Sequence, residues 1–315
     1  MSDPARWTKL GCLLEPDPTR EWLATWAGAS CVLPLDDRRC RVYITGKDTH
    51  GRARIGTAVL DIADRRLTEL SAAPIIDLGE RGSFDENGTS YPFAMRMGTQ
   101  VHLYYLGWIR GVHVPWYNGL GLAVSNDGVA FTKASKAPVF DRDEDDYLGI
   151  GSMCILNEED RLKMWYSRFE RWGRDETDHK HYYNIKYAES ADGRSWARDK
   201  AICIDFIDPV TEYAIAKPSV LKLGGRYFMW YSHRGPSYAI GFAVSDDGRR
   251  WRRHDALVGI ECSTTGWDSE MQCYAHVFET GGTLFMLYNG NGYGATGLGL
   301  ASMSTDAFVA MTATL

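Results

Sequence analysis

Residues 227–251 read YFMWYSHRGPSYAIGFAVSDDGRRW. The stretch holds two apolar runs, YFMWYSH (227–233) and IGFAV (240–244), then Ser-Asp-Asp-Gly and a Trp. Asp-Gly between strand-like runs marks a tight hairpin, because Gly accepts the positive φ that such turns need. The same ending occurs as AVSNDGVAF (123–131) and AESADGRSW (188–196). The first run has counterparts in RVYITG (41–46), HLYYLG (102–107), LKMWYSR (162–168) and LFMLYNG (284–290). Anchored on Ile44, Tyr105, Tyr166, Tyr231 and Tyr288, the copies are 57 to 65 residues apart. The second run recurs as IGTAV (55–59), LGLAV (120–124), IKYAE (185–189) and LGLAS (298–302). Both series appear five times in one order, which is the signature of a repeat architecture.

Each unit reads as four strands: an inner strand such as SYPFAMRM or KPSVLKL, the aromatic strand, the Gly-x-Ala strand, and a strand after Asp-Gly. Four-stranded units of this size bury both faces only against one another, and a closed ring also shortens the exposed sheet edges. The expected fold is therefore all-β, a five-bladed β-propeller of four-stranded antiparallel blades forming one domain over residues 1–315. The blades fall at roughly 25–75, 85–140, 146–206, 211–260 and 267–303, the last completed by an N-terminal strand. The Phe or Trp three residues after each turn Gly should pack between units. Asp127, Asp192 and Asp247 read as structural turn residues, and Trp165 and Trp230 as core. Helix is scarce, with the segment from Arg20 to Trp26 as the candidate.

Composition narrows the function. Aromatic residues make up 12% of the chain, with 11 Trp and 17 Tyr, which agrees with short strands and tight turns. The net charge is −6 with acids and bases interspersed, so no basic stripe suits a phosphate backbone, and no nucleic-acid partner is expected. No apolar run approaches the ~20 residues of a membrane span, so no membrane partner is expected. The start, MSDPARWTKLG, lacks a secretory pattern, and seven cysteines without a C-x-x-C pair suit a reduced chain. A cytoplasmic location is the expectation.

In a propeller blade the start of the first strand and the end of the second share one face. Before the inner strands lie FDENG (84–88), DEDDY (143–147), TEY (211–213) and WDSE (267–270). The first unit has Thr25 there instead of an acid. After the second strands lie the elaborated loops GKDTHGR (46–52), GWIRGVHVPWYN (107–118), RFERWGRDETDHKHYYN (168–184), HRGPSY (233–238) and NGNGYG (289–294). Function concentrates in such loops on a rigid scaffold. Glu86, Glu212, Glu270, Asp85 and Asp146 are the candidate catalytic carboxylates. Trp108, His113, Tyr117, Arg168, His181, Tyr182, His233, Arg234, Asp268 and Asn289 are the candidate substrate-binding residues. Plainer roles stand beside these: Glu86 as a turn acid near Gly88, Glu212 and Glu270 in ion pairs between blades, Asp85 and Asp268 as loop braces. His179 and His181 alternate on a strand, but no third ligand accompanies them, so no metal site is expected.

Carboxylates among aromatics suit a sugar. Aromatic faces stack on its C–H surfaces, and glycoside cleavage uses an acid and a base or nucleophile on opposite sides of the bond. Crowding acids round a channel raises some of their pKa values, as a general acid at neutral pH needs.

The five-fold pattern, the acids before the inner strands and the A-x-S-x-D-G-x-x-W/F element resemble the propellers of glycoside hydrolase families 32, 43, 68 and 130, over roughly residues 25 to 303. The resemblance to family 43 implies an acidic base on the first blade, a pKa-tuning Asp on the second and a Glu acid on the third. This chain departs from it in having no aligned acid on the first blade. It also lacks the N-D-P-N-G signature of family 32, and Glu261-Cys262 falls after a fourth strand. No cofactor is expected; the resemblance to family 43 admits a central calcium ion, which His276 and Gln272 could border beside Glu270. The expected activity is that of a carbohydrate-active enzyme, cleaving or transforming a glycoside or sugar-like small molecule by carboxylate acid/base catalysis in a central pocket. The alternatives are a phosphorylase, lyase or cyclase using the same bowl, or a non-catalytic sugar-binding propeller. The sole expected partner is a small-molecule carbohydrate or sugar-like substrate.

Overall fold

The computed structural model describes residues 5–158, 161–175, 178 and 180–315. They form an all-β structure. β1 (Thr8–Leu14) precedes a run of four antiparallel strands, β2 (Trp26–Pro34), β3 (Arg39–Lys47), β4 (Ala53–Asp61) and β5 (Arg66–Thr68). The second run is β6 (Gly88–Met97), β7 (Gln100–Arg110), β8 (Trp116–Ser125) and β9 (Thr132–Lys133). The third is β10 (Ile150–Glu158), β11 (Arg161–Trp172), β12 (His181–Ser190) and β13 (Ala197–Ile204). The fourth is β14 (Ala214–Leu223), β15 (Arg226–Arg234), β16 (Tyr238–Ser245) and β17 (Arg252–Arg253). The last is β18 (Cys273–Thr280), β19 (Thr283–Asn289) and β20 (Leu298–Ser304), whose outer neighbour is β1. Single parallel bridges, Ala53 to Gly88 and Tyr183 to Ala214, join the first run to the second and the third to the fourth.

The Asp-Gly turns behave as their residues dictate. Gly128, Gly193 and Gly248 have φ of 74°, 72° and 74°. Their N–H groups donate to Ser125, Ser190 and Ser245 Oγ, two residues before each Asp. Asp127, Asp192 and Asp247 each accept two further backbone N–H bonds. These bonds to the charged form hold Asp127 and Asp192 at a pKa of about 2.

Each of these turns also locks onto the preceding run. Tyr43 and Tyr104 hydroxyls and the Trp165 indole donate to the carbonyls of Gly128, Gly193 and Gly248. The aromatics after the turns pack on the same donors: Phe131 on Tyr43, Trp196 on Tyr104 and Trp251 on Trp165, with centroids 5.8 to 6.2 Å apart. Trp7, just before β1, meets Trp230 edge-on in the same manner at 6.1 Å.

A second set of bonds lies deeper. The first strand of every run carries a bulge. Four bulges place a non-glycine residue at positive φ: Ala29, Tyr91, Lys217 and Tyr274. A bulge withdraws an N–H from its own ladder. Each of these four is captured by a side chain of the preceding run. Ala29 donates to Asn289 Oδ1 (2.9 Å), Tyr91 to Thr45 Oγ1 (3.0 Å), Lys217 to Ser152 Oγ (2.9 Å) and Tyr274 to Ser232 Oγ (2.7 Å). His276 and Asn289 of the last run reach the first run, so the series of contacts returns to its start.

Helix is indeed sparse, yet it lies elsewhere than expected. Between Arg20 and Trp26 only Glu21–Leu23 form a 3-10 turn, because Trp22 and Leu23 are buried side by side and Trp26 already opens β2. An unanticipated helix, α1 (Thr305–Thr312), is capped by Ser304 Oγ and seals the fourth and fifth runs with Phe308 against Phe228, Trp230 and Phe242. All seven cysteines are unbridged.

Two stability outcomes follow. Ser232→Ala orphans the Tyr274 N–H and should cost roughly 1–3 kcal/mol, read from urea unfolding at fixed m-value. Lys217 is buried and its Nζ has no hydrogen-bond partner, and burial lowers its pKa. Lys217→Met should therefore raise stability at pH 7 by roughly 1–3 kcal/mol. A lysine whose folded pKa is depressed weakens the fold below its unfolded pKa. The advantage of the Met variant should thus shrink as pH rises toward about 10. A Met variant less stable than wild type at pH 7 would contradict this reading.

Candidate functional site

The acids before the inner strands are gathered toward one end, but three of them are consumed by the scaffold. Asp85, Asp146 and Asp268 are buried and accept from Tyr105, Tyr166 and Tyr288, the anchor tyrosines of their own runs, at 3.0, 2.6 and 3.0 Å. Cations complete each clamp: Lys133 on Asp85 at 2.6 Å, Lys186 and Arg198 on Asp146 at 2.8 and 2.9 Å, and Lys9 on Asp268 at 2.7 Å. Burial would raise Asp146, but the bonds from Lys186, Tyr166 and Arg198 outweigh it and hold its pKa below the usual carboxylate range. In the fourth run Thr211 replaces the Asp, and Tyr231 turns to Asp255, which Arg253 braces. In the first run Ile44 replaces the Tyr, and no clamp is needed. Asp85, Asp146 and Asp268 thus each brace a loop against the strands of their own run, the plainer of the roles weighed for Asp85 and Asp268.

The three glutamates differ. Glu212 is nearly buried and accepts from both Nη atoms of Arg253, from His233 Nδ1 at 2.8 Å and from the Ile207 N–H. Burial opposes ionisation, yet these four donors prevail and set its pKa at about 2, so it cannot donate a proton near neutral pH. His233 is thereby tied to Glu212. Glu86 accepts from the Gly82 N–H, a turn bond. Glu270 is exposed, and its backbone N–H donates to Asn291 Oδ1.

A cavity of about 330 Å³ opens where the runs converge. Starts of first strands supply Ser90, Tyr91, Gly151, Ser152, Ala216 and Tyr274. Ends of second strands supply Thr45, Lys47, Leu106, Trp108, Ser167 and Phe169, and Trp26, Trp116, Asn118 and Tyr183 complete the wall. The size suits a small molecule. Aromatic faces alternate with hydroxyls and one amide. No Asp or Glu lines it among the described residues. The charged side chain on the wall is Lys47, whose Nζ stands 5.0 Å from the Trp26 ring centroid. Burial alone lowers its pKa.

Of the expected binding residues, Trp108 lines the cavity directly, and its indole occupies the space a Cβ on Gly88 would need. His181 stands one layer behind, between the lining residues Trp116 and Tyr183, with ring centroids at 5.3 and 5.0 Å. Arg234 lies over Tyr213, Tyr238 and Tyr293, and Tyr238 shares a 3.0 Å hydrogen bond with Tyr183. The others are drawn away. Arg168 leans on Asp146, Tyr117 carries Arg142, and Tyr182 is buried against Phe206, Tyr213 and Arg171. His113 is exposed. Asn289 is fully buried and serves the bulge at Ala29. His276 Nε2 accepts from the Val32 N–H, and Gln272 Nε2 donates to Asp268 and to the Glu261 carbonyl. His179 is outside the described residues.

Sequence reasoning missed Lys47, Trp26, Tyr91, Tyr183 and Tyr274 as lining residues. One signal was present: the residue after the anchor is an acceptor at Thr45, Ser232 and Asn289, and each captures a bulge N–H of the next run, while Ser167 instead bonds Ser152, which captures the bulge at Lys217. Those bulges carry Tyr91 and Tyr274.

No family model matches the chain. Its fold is shared by solved proteins of low identity. A thermostable family-43 glycoside hydrolase is 19% identical with a TM-score of 0.66, covering 92% of this chain and 91% of that one. A structure described as belonging to the GH130 family of mannoside phosphorylases, which contains glycoside hydrolases that target β-1,2 mannosidic linkages in Candida mannan, is 14% identical with a TM-score of 0.70, covering 96% and 94%. In sequence, the uncharacterized proteins MT1551 and Rv1502 of Mycobacterium tuberculosis, from strains CDC 1551 and H37Rv, are each 36% identical over 296 residues, covering 94% of this chain and 98% of theirs. With that identity sustained along nearly its whole length, the chain belongs to the family of these mycobacterial proteins.

Proposed function

We propose that the protein is a five-bladed β-propeller and a carbohydrate-active enzyme that holds a glycoside or sugar-like molecule in its central cavity. The observation that carries this reading is the wall itself. Trp26, Trp108, Trp116, Tyr91 and Tyr274 offer faces for C–H surfaces, while Thr45, Ser90, Ser152, Ser167 and Asn118, each already bonded once or more within the fold, line the wall with oxygens that keep acceptor capacity. The shared fold with glycoside hydrolases and phosphorylases supports it. If the chemistry is carboxylate acid/base catalysis, Glu86 and Glu270 carry it, because neither has a cation partner among the described residues. A non-hydrolytic transformation, such as phosphorolysis, elimination or cyclisation, is the alternative reading of the same cavity.

The test is a panel of nitrophenyl glycosides and disaccharides, with and without inorganic phosphate, followed by chromatography of the products. Trp108→Ala should lower kcat/KM roughly tenfold through lost stacking, about 1.4 kcal/mol. Under the hydrolytic reading, Glu86→Gln abolishes turnover without moving the thermal midpoint. Glu212→Gln, by contrast, strips a partner from Arg253 and His233 and should lower the midpoint by several degrees. Full activity in both Glu86→Gln and Glu270→Gln would defeat the hydrolytic reading and leave the non-hydrolytic one. A wild-type protein that neither binds nor alters any sugar would defeat both.

A further inference from the structure

One wall of the cavity is rich in donors that have nothing to donate to. Lys47 Nζ faces the Trp26 ring, and among the described residues it has neither a carboxylate nor any hydrogen-bond acceptor. Its sequence neighbour Asp48 is turned away and saturated by Arg52 and Arg54. The Trp26 side chain is 6% exposed, and its Nε1–H is buried without an acceptor. Behind the opposite wall, Arg234 rests on Tyr213, Tyr238 and Tyr293, again with no carboxylate among the described residues and with Nε unpartnered. A cleft lined by His50, Arg52, Asn87 and Arg110 flanks the loop that carries the lining residue Gly51.

Buried or half-buried cations are normally paired, and buried N–H donors normally have acceptors. Most cations of this chain follow the rule: Lys9, Lys133, Lys163, Lys186, Arg198 and Arg253 all meet carboxylates, while Lys217 is buried without a partner away from the cavity wall. Lys47 is the unpaired cation on the cavity wall. A neutral sugar hydroxyl would leave its ammonium without a counter-charge. An oxyanion supplies one, and charge-assisted bonds are the stronger kind.

We infer that the cavity selects sugar derivatives bearing an anionic group, a carboxylate or a phosphate ester, seated against Lys47. The inference rests on the sugar-binding reading above and specifies its substrate class. The remaining wall, from Trp108 round to Tyr274, then receives the uncharged part of the molecule.

The experiment is isothermal titration of the full chain with glucose, galactose and mannose, with their uronates, with their 6-phosphates, and with acetate and inorganic phosphate alone. The uronates or the sugar phosphates should bind at least about tenfold tighter than the parent sugars, and whichever series wins identifies the oxyanion. Lys47→Met should abolish that preference, and Lys47→Arg should restore it in part. Equal affinity for neutral and anionic sugars overturns the inference but leaves the sugar reading intact. Acetate or phosphate binding as tightly as the sugar acids overturns the sugar reading and keeps the anion site. No binding by any member of the panel overturns both.

Discussion

The structure depends on what happens to four backbone N–H groups. Each inner strand bends outward at a bulge, and at Ala29, Tyr91, Lys217 and Tyr274 the bend requires positive φ. Such conformations cost a non-glycine residue of order 1 kcal/mol or more. The released N–H would cost more if left dry. A side chain of the preceding run answers it in every case, from Asn289, Thr45, Ser152 and Ser232. One bond thus does two things: it stabilises a strained turn and it attaches one run to the next. The exception is consistent. Leu106 offers no acceptor, and the corresponding bulge contains Gly151, which is not at positive φ. There the runs are held instead by Asn118 on the Ile150 carbonyl and Tyr104 on the Gly193 carbonyl.

The bulges also decide what the cavity contains. At these bulges Tyr91 and Tyr274 line the cavity, where they meet edge to face at 5.3 Å. Further tyrosines extend the layer, with Tyr238 5.6 Å from Tyr274. Burial raises the pKa of all these phenols, so they remain neutral donors and acceptors across the physiological range.

Beneath this layer the acids are removed from play. A Tyr hydroxyl and a Lys or Arg seize each Asp before it reaches the opening, and the same arrangement recurs with Asp85, Asp146 and Asp268. The clamp ties the loop ahead of the first strand of a run to the second strand and to the outermost one. Carboxylate chemistry and scaffold bracing draw on the same residue type at the same end of the strands. Here bracing takes most of it, and what lines the cavity is aromatic, hydroxylic and cationic.

The repeats, the strand order within each run and the Ser-x-Asp-Gly turns were legible from residue types alone, because each depends on neighbours a few positions away. Thus Gly128 had to accept positive φ, and Trp251 had to find apolar cover, whatever lay beyond them. The aromatic loop that supplies Trp108 was legible for the same reason. The partners of Asp146, Glu212 and Asn289 were not. They come from residues 40, 41 and 260 positions away, brought close by the winding of the chain. An isolated Asp before a strand reads identically whether a lysine later covers it or a substrate does. Local chemistry therefore determined the elements and their period. Tertiary structure alone decided which charges were neutralised and which, like Lys47, were left facing the cavity, because neutralisation depends on distances that close only when the first and last runs meet.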